Sequence, residues 1–430
     1  MNTKKIPQKH KTKTNRIIFS IIFLIIALVI LVLKNIKIIG NDKLYSLKIQ
    51  SFFLPNISII LKISMITNHF FFFLFFIIFV DNYKNIFISF ILIQIFSFGY
   101  YFSSLIKIVF QDKNPYFDST ITIYECDLGW GSPCENIIII IPFFLTLYNI
   151  LTNSKKNIII KILLFTFSLI IILFNCLSVI IIGKHLLSQV IISVLIGFSF
   201  YELICGFNFQ YEKGNTLYVI LTHYYFYLLI NVFMSAFLIG AFFYYNLKIK
   251  ETKYCIDNNR NYINFNDNNG YKVLNKGSLL LSSIYLGNIF CYFSYKCQFI
   301  FILKNNRNHW FQFNFNEPGN PSDYYNESIT IVMKETKWNH TSKILSFLRL
   351  IVSFILCSIS FIPYFIVEWK SNFWSIFFVK YLFSFFLFYF GHFFIFKFLF
   401  KKLHIINFNL FIQIEDQQDT LISFQKLNDT

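Results

Sequence analysis

Cys176–Gly197 reads CLSVIIIGKHLLSQVIISVLIG. Gly183, Lys184 and His185 interrupt an otherwise apolar stretch, with Ile158–Phe174 before it and Leu186–Ile204 after it. Apolar residues run on without the alternation of a half-buried strand, and each flank approaches the roughly 20 residues that carry an α-helix across a bilayer. The segment therefore predicts two antiparallel membrane helices joined by a short polar turn, Cys176–His185.

The same reading applies to the rest of the chain. Apolar runs occupy Ile17–Leu33, Met65–Val80, Ile86–Leu105, Ile137–Leu151, Ile158–Phe174, Leu186–Ile204, Leu217–Tyr244, Leu279–Leu303, Ile344–Ile366 and Phe373–Phe400. These are about ten candidate spans, some short or interrupted by polar residues such as Asn68 and His69. Of the 430 residues, 56% are hydrophobic and only 14% charged, which leaves too little polar material to cover a soluble domain of this size. The expected class is all-α, a polytopic membrane helix bundle.

A net charge of +17 would suggest nucleic acid in a soluble protein. Here the basic residues fall in short groups between apolar runs, where orientation in a bilayer explains them, so no nucleic-acid partner is expected. Lys4, Lys5, Lys9, Lys11, Lys13 and Arg16 precede the first span with no acidic residue among them. The positive-inside rule puts this end in the cytosol, along with Lys155, Lys156, Lys401 and Lys402, the 304–343 loop and the tail. The loops Lys107–Asn136 and Cys176–His185 then emerge together on the lumenal or extracellular face. The region after the basic segment is long for a cleaved signal and lacks a small-x-small site. The membrane would be the endoplasmic reticulum, another endomembrane or the plasma membrane.

Eight cysteines show no CxxC or Cys/His ligand spacing, so neither metal nor cofactor is expected. Cys176, Cys205, Cys291 and Cys357 fall in or beside apolar runs as small core residues. Cys126 and Cys134 share one polar loop and would bridge in an oxidising lumen. The Asn-rich stretch Asp257–Gly270 (DNNRNYINFNDNNG) is nearly low-complexity. The N-x-S/T triplets at Asn56, Asn326, Asn339 and Asn428 arise easily in such a chain and do not fix its topology.

Three segments carry the chemistry. The first is Lys107-IVFQDK-Asn114-Pro115, the second Gly131-Ser-Pro-Cys-Glu-Asn136, and the third Ser178-Val179-IIIGK-His185-LLS-Gln189. In order, spacing and side of the membrane they resemble the three signatures of the type-2 phosphatidic acid phosphatase superfamily, K-x6-R-P, P-S-G-H and S-R-x5-H-x3-D. The third segment is most similar to glucose-6-phosphatase relatives, in which Gln replaces the last Asp. Extra helices beyond a six-helix core agree with that. The resemblance covers roughly residues 65–206.

It implies that His185 descends from the nucleophile that forms a phosphohistidine, with Gln189, one helical turn on, orienting its ring. Lys107 and Ser178 would bind phosphate. The two arginines that complete the family's phosphate clamp are replaced by Asn114 and Val179, and the histidine that protonates the leaving group by Asn136. Val179 has no side-chain donor and Asn136 transfers no proton at neutral pH. Losing a general acid costs roughly 10² to 10⁴ in rate, and losing each charge-stabilising donor about 10² to 10³. Lys113 and Lys184 are candidate replacements for the missing charge, and Glu135 for the missing acid.

Ordinary structural roles compete with each assignment. Lys107 fits a snorkelling helix-end lysine equally well, Gly131 and Pro133 would serve any tight turn, and His69, His223 and His392 read most simply as satisfied core histidines, with an internal polar path as the alternative. The expected organisation is a basic N-terminus and first helix (1–34), an interfacial segment (35–64), the phosphatase-like core (65–206), further helices and loops (207–403) and a cytosolic tail (404–430). The expected function is phosphomonoester hydrolysis, on a lipid or sugar phosphate, in a weakened or inactive form. A non-enzymatic lipid- or phosphate-binding protein or transporter on the same fold is the alternative. Membrane lipids and a phosphorylated small molecule or lipid are the expected partners.

Overall fold

A computed structural model of the protein describes residues 7–35, 42–67, 69–83, 86–115, 121–124, 129–153, 157–206, 224–246, 270–305, 331–333, 343–367, 372–403 and 412–414. Lys4, Lys5, Asn68, Cys126, Lys155, Lys156, His223, Asn326, Asn339, Asn428, all but the last residue of Asp257–Gly270 and most of the tail lie outside these residues.

Helices dominate. They are α1 (Pro7–Asn35), α2 (Asp42–Phe53), α3 (Ile57–Thr67), α4 (Phe70–Tyr83), α5 (Ile86–Phe110), α6 (Glu135–Asn153), α7 (Ile158–Ile181) and α8 (Leu187–Gly206). After these come α9 (Tyr224–Asn246), α10 (Gly270–Asn305), α11 (Lys343–Ser360), α12 (Ile362–Ile366) and α13 (373–402), whose course includes π segments at Ile376–Phe383 and Gly391–Ile395. Two three-residue strands, β1 (Ile331–Met333) and β2 (Ile412–Ile414), form a small antiparallel pair centred on Val332 and Gln413.

Among the described residues, eight helices are long and apolar enough to cross a membrane, and Phe70–Asn82 and Ile344–Ser360 are shorter apolar helices. The protein is thus an all-α membrane bundle, as expected, with differences in detail. Asp42–Thr67 counts among the eight by length and composition, but it is α2 and α3 joined through Leu54–Asn56, and Ser46, Gln50 and Ser64 all meet residues at the α7–α8 turn. Leu279–Leu303 lies within α10, part of whose side chains fall outside the described residues, and it is not counted among the eight.

The span from Met65 is broken at His69 into the end of α3 and all of α4. Ile344–Ile366 is broken at Phe361, two residues before Pro363, whose ring favours a helix start and not an interior. α7 begins where Asn157 accepts the N–H of Ile159 at 2.9 Å, and runs to Ile181, beyond the expected end at Phe174. Ser178 and Val179 are therefore in its last turn and not in a loop.

The core is aromatic. Phe73, Phe96 and Phe143 bring α4, α5 and α6 together, while Phe385 and Tyr389 of α13 pack towards α5 and α10. Ala27 and Leu31 of α1 join Ile138, Ile192 and Ile196 in a second cluster against α6 and α8. Gly99 allows α5 and α6 to approach closely, since a Cβ there would lie 2.3 Å from Ile139 Cγ1. Outward faces are apolar instead of polar, as at Ile158, Ile162, Leu163 and Ile170 of α7, which are more than half exposed. Burial in lipid, not in protein, accounts for that pattern.

Contacts between helix termini define two ends of the bundle. At one, the C-terminus of α1 meets the α5–α6 connection through Lys34 and Asp112, and α10 meets that connection through Asn275 and Trp130. At the other, Arg16 of α1 lies 3.7 Å from Glu202 near the end of α8. The three signature-like segments all converge on the first end.

Candidate functional site

Lys107 sits in the last turn of α5, which ends as Gln111 adopts a left-handed conformation (φ 49°) with its N–H on Lys107 O at 3.1 Å. The Lys107 side chain is 1% exposed, and its Nζ donates to Glu135 Oε2 at 2.6 Å. Glu135 is the first residue of α6, so its carboxylate also faces the positive end of that helix. The expected phosphate-binding cation thus has a carboxylate against it.

A second group forms around Gly131, whose N–H donates to Asp112 O at 2.8 Å. A Cβ at Gly131 would come 2.1 Å from Gln189 Nε2 and 2.7 Å from Asn114 Oδ1, so only glycine fits between those amides. Asn114 donates to Gly129 O. Trp130, fully buried, donates its indole N–H to Asn275 Oδ1 at 2.7 Å and its backbone N–H to Ser278 Oγ at 3.2 Å, so α10 holds this loop from above. At the start of α6, Cys134 N–H donates to Ser193 Oγ (2.7 Å), which donates in turn to Gln189 O (2.6 Å). The expected Cys126–Cys134 bridge falls outside the described residues, because Cys126 does. Asn136 and Ser132 are buried here as well.

His185 belongs to a third group, the turn from α7 to α8. Lys184 N–H and His185 N–H both donate to Val179 O, at 3.0 and 3.1 Å. Gly183 takes φ 74°, and a Cβ there would stand 2.3 Å from Thr122 O. Val179, which has no useful side-chain donor, still positions this turn through its carbonyl. Ser178 donates to Asn175 O at 3.1 Å and accepts from Ser64 Oγ at 3.5 Å, so its hydroxyl is engaged within the helix bundle. His185 is 1% exposed, Lys184 is buried and Lys113 is exposed.

Three backbone N–H groups at the N-terminus of α8 are capped by side chains. Gln189 Oε1 accepts Leu186 N–H (2.8 Å), a capping-box geometry, Ser46 Oγ accepts Leu187 N–H (3.0 Å) and Asp42 Oδ1 accepts Ser188 N–H (2.8 Å). The Ser188 hydroxyl donates to the other oxygen of Asp42. Gln189 Nε2 donates to Asp112 Oδ2 (2.9 Å) and to Lys113 O (2.8 Å). Both amide protons of Gln189, expected to serve His185, are thus directed at the α5–α6 connection. Lys113 contributes its carbonyl to this contact, with its side chain at the surface.

Sequence reasoning missed Lys34, Asp42 and Asp112. Lys34 Nζ lies 2.7 Å from Asp112 Oδ2 and 4.0 Å from Asp42 Oδ2. Asp112 stands inside the first segment, where a carboxylate is at odds with the phosphate binding expected of it. Lys34 and Asp42 flank the boundary between the first apolar run and the interfacial segment, where charge is ordinary and carries no signal.

Lys34 and Lys107 face Asp42, Asp112 and Glu135. A phosphomonoester dianion would meet two lysines already paired with carboxylates, not the open cationic cradle that phosphoryl chemistry requires.

Residues 87–211 match the PAP2 superfamily, the type-2 phosphatidic acid phosphatases. That match spans α5 to α8 and contains all three segments. No curated protein matches the chain, and no solved structure does. A PAP2-like region within a helical membrane bundle is therefore shown; the similarity to glucose-6-phosphatase relatives remains one of sequence pattern.

Proposed function

We propose that this is a phosphatase-like integral membrane protein of the phosphomonoester class whose site has lost ordinary turnover. The observation that supports this reading most directly is the buried Lys107–Glu135 contact at 2.6 Å. The remaining lysine of the phosphate clamp is neutralised from within the protein, and the carboxylate doing so occupies the position where the family has glycine. The loss of both arginines and the acid histidine, at Asn114, Val179 and Asn136, acts in the same direction. His185 and Gln189 keep the spacing of nucleophile and orienting partner, with Gln189 now tied to Asp112. The ligand this scaffold would take is a lipid phosphate or sugar phosphate, with membrane lipids around it. The site end faces the lumen or exterior in this reading, since the basic N-terminus and Lys401–Lys402 belong in the cytosol.

The test is a phosphatase assay of the purified chain against one lipid phosphate and one sugar phosphate. A second variant carries Asn114→Arg, Asn136→His, Val179→Arg and Glu135→Gly, and a third adds His185→Ala to those. Wild type is expected at the level of the His185→Ala control, with turnover appearing in the restored variant. Wild-type hydrolysis that depends on His185 overturns the loss of turnover. A restored variant that elutes as a monodisperse species and stays inactive overturns the reading of a dormant phosphatase site that lacks only these groups.

A further inference from the structure

A second buried charged centre lies outside the residues that match the family. Asp81 of α4 and His392 of α13 are both fully buried, with His392 Nε2 3.2 Å from Asp81 Oδ2. Ser89 of α5 donates to Asp81 Oδ1 at 3.1 Å, and Cys357 of α11 lies 3.7 Å from His392 Nδ1. His392 stacks on Phe388 in the π segment Gly391–Ile395. Such local widening of a helix recurs where a side chain has work to do. Replacing a buried ion pair by apolar residues of like volume is often neutral or stabilising, so this pair is poorly explained as glue. Ionisable residues inside a membrane bundle instead mark routes for ions or protons.

Further buried polar contacts flank the centre on both sides. Towards the end away from the site, Asn82 donates to Ser353 Oγ (3.2 Å), and buried Arg349 donates to Asn82 O (3.4 Å) and Ser346 Oγ (2.9 Å). Towards the site, Tyr389 stands about one turn before His392 on α13, and its hydroxyl lies 3.3 Å from Ser97 Oγ on α5. Tyr100 follows Ser97 by about one turn of α5 and is buried on the side that leads to Lys107. Cys291 of α10 is the further titratable group beside Tyr389. Ser89, Ser97, Tyr100 and Lys107 mark one course along α5, about 27 Å from Ser89 to Lys107 at 1.5 Å per residue, comparable to the hydrocarbon thickness of a bilayer.

We propose that Asp81 and His392 form the proton-carrying centre of a path through the bundle, running from Arg349 and Asn82 to Tyr389, Ser97, Tyr100 and Glu135. The pair has two states, carboxylate with imidazolium and carboxylic acid with imidazole, related by moving one proton across the 3.2 Å contact once a small reorientation of the imidazole aligns Nε2 with Oδ2. Uptake of a proton from one side and release to the other returns the pair to its first state. An existing pH difference drives the movement and no other reactant takes part. The path does not depend on phosphatase chemistry, and it stands or falls separately from the proposed function.

The experiment uses the full chain reconstituted in liposomes loaded with a pH-sensitive dye, with potassium and valinomycin holding the membrane potential at zero. An imposed pH step should dissipate several-fold faster than in protein-free liposomes. Asp81→Asn and His392→Gln, which retain hydrogen-bonding shape without the proton exchange, should return the rate to that background. Asn149→Ala, in the Asn149–Tyr201 contact of α6 and α8, should leave it unchanged. If the centre variants do not elute as monodisperse species, Tyr389→Phe decides, because it removes one hydroxyl from a ring that stays packed, and it should slow the flux at least several-fold. Wild-type flux equal to protein-free liposomes overturns the proposal, as does flux that survives in the folded Asp81, His392 or Tyr389 variants.

Discussion

Glu135→Gln isolates the feature on which the proposed function rests. Lys107 is 1% exposed and Glu135 6% at their side chains, so removing the carboxylate charge leaves an ammonium in a site that water barely reaches. At 2.6 Å the gross attraction is roughly 6 kcal/mol for an effective dielectric of 20, offset by the desolvation of both ions. Loss of one partner should therefore destabilise the fold by about 3–5 kcal/mol, whereas the double variant Lys107→Met, Glu135→Leu should lie within about 1 kcal/mol of wild type. The assay is equilibrium unfolding in mixed detergent micelles, read by tryptophan fluorescence, on wild type, both singles and the double. With either single costing about 3–5 kcal/mol and the double at most about 1 kcal/mol, the coupling energy of that cycle should be at least about 5 kcal/mol in magnitude. Inorganic phosphate offers a second reading, since it should raise the stability of Glu135→Gln more than that of wild type by supplying the missing negative charge. A loss below about 1 kcal/mol in Glu135→Gln, or a double variant no better than the single, would refute the argument that Glu135 compensates Lys107.

The same geometry sets other outcomes. Gly131→Ala places a methyl 2.1 Å from Gln189 Nε2, and should cost about 1–3 kcal/mol by the same unfolding assay; a neutral result would mean that the amides flanking Gly131 shift readily. Asp42→Ala removes the cap on Ser188 N–H and the second carboxylate near Lys34, and should cost about 1–2 kcal/mol, with faster amide exchange confined to the first turn of α8. An N-terminal tag should be digested by protease added outside sealed microsomes, while a tag in the 247–269 connection, which leads into the site end of α10, should be protected; the reverse pattern would invert the orientation.

The membrane class was legible without any structure, because apolar runs of spanning length are set by the bilayer and need no tertiary partner to be recognised. The three segments were legible too, since their spacing is local and each abuts a helix end. Helix limits were less so: α7 continues to Ile181 because apolar sequence persists through Ile182 and Gly183 alone provides the left-handed stop. What the sequence left undecided was which charges meet. Glu135 reads equally well as a substitute acid or as a counterion, and its 2.6 Å contact with Lys107 depends on how α5 and α6 pack through Gly99 and Ile139. Asp42, Asp112 and Lys34 converge from positions up to 78 residues apart, and Asp81 meets His392 from still further away. Those pairings arise from the stacking of helices in three dimensions, where electrostatic energy depends on distance in space and not on separation along the chain.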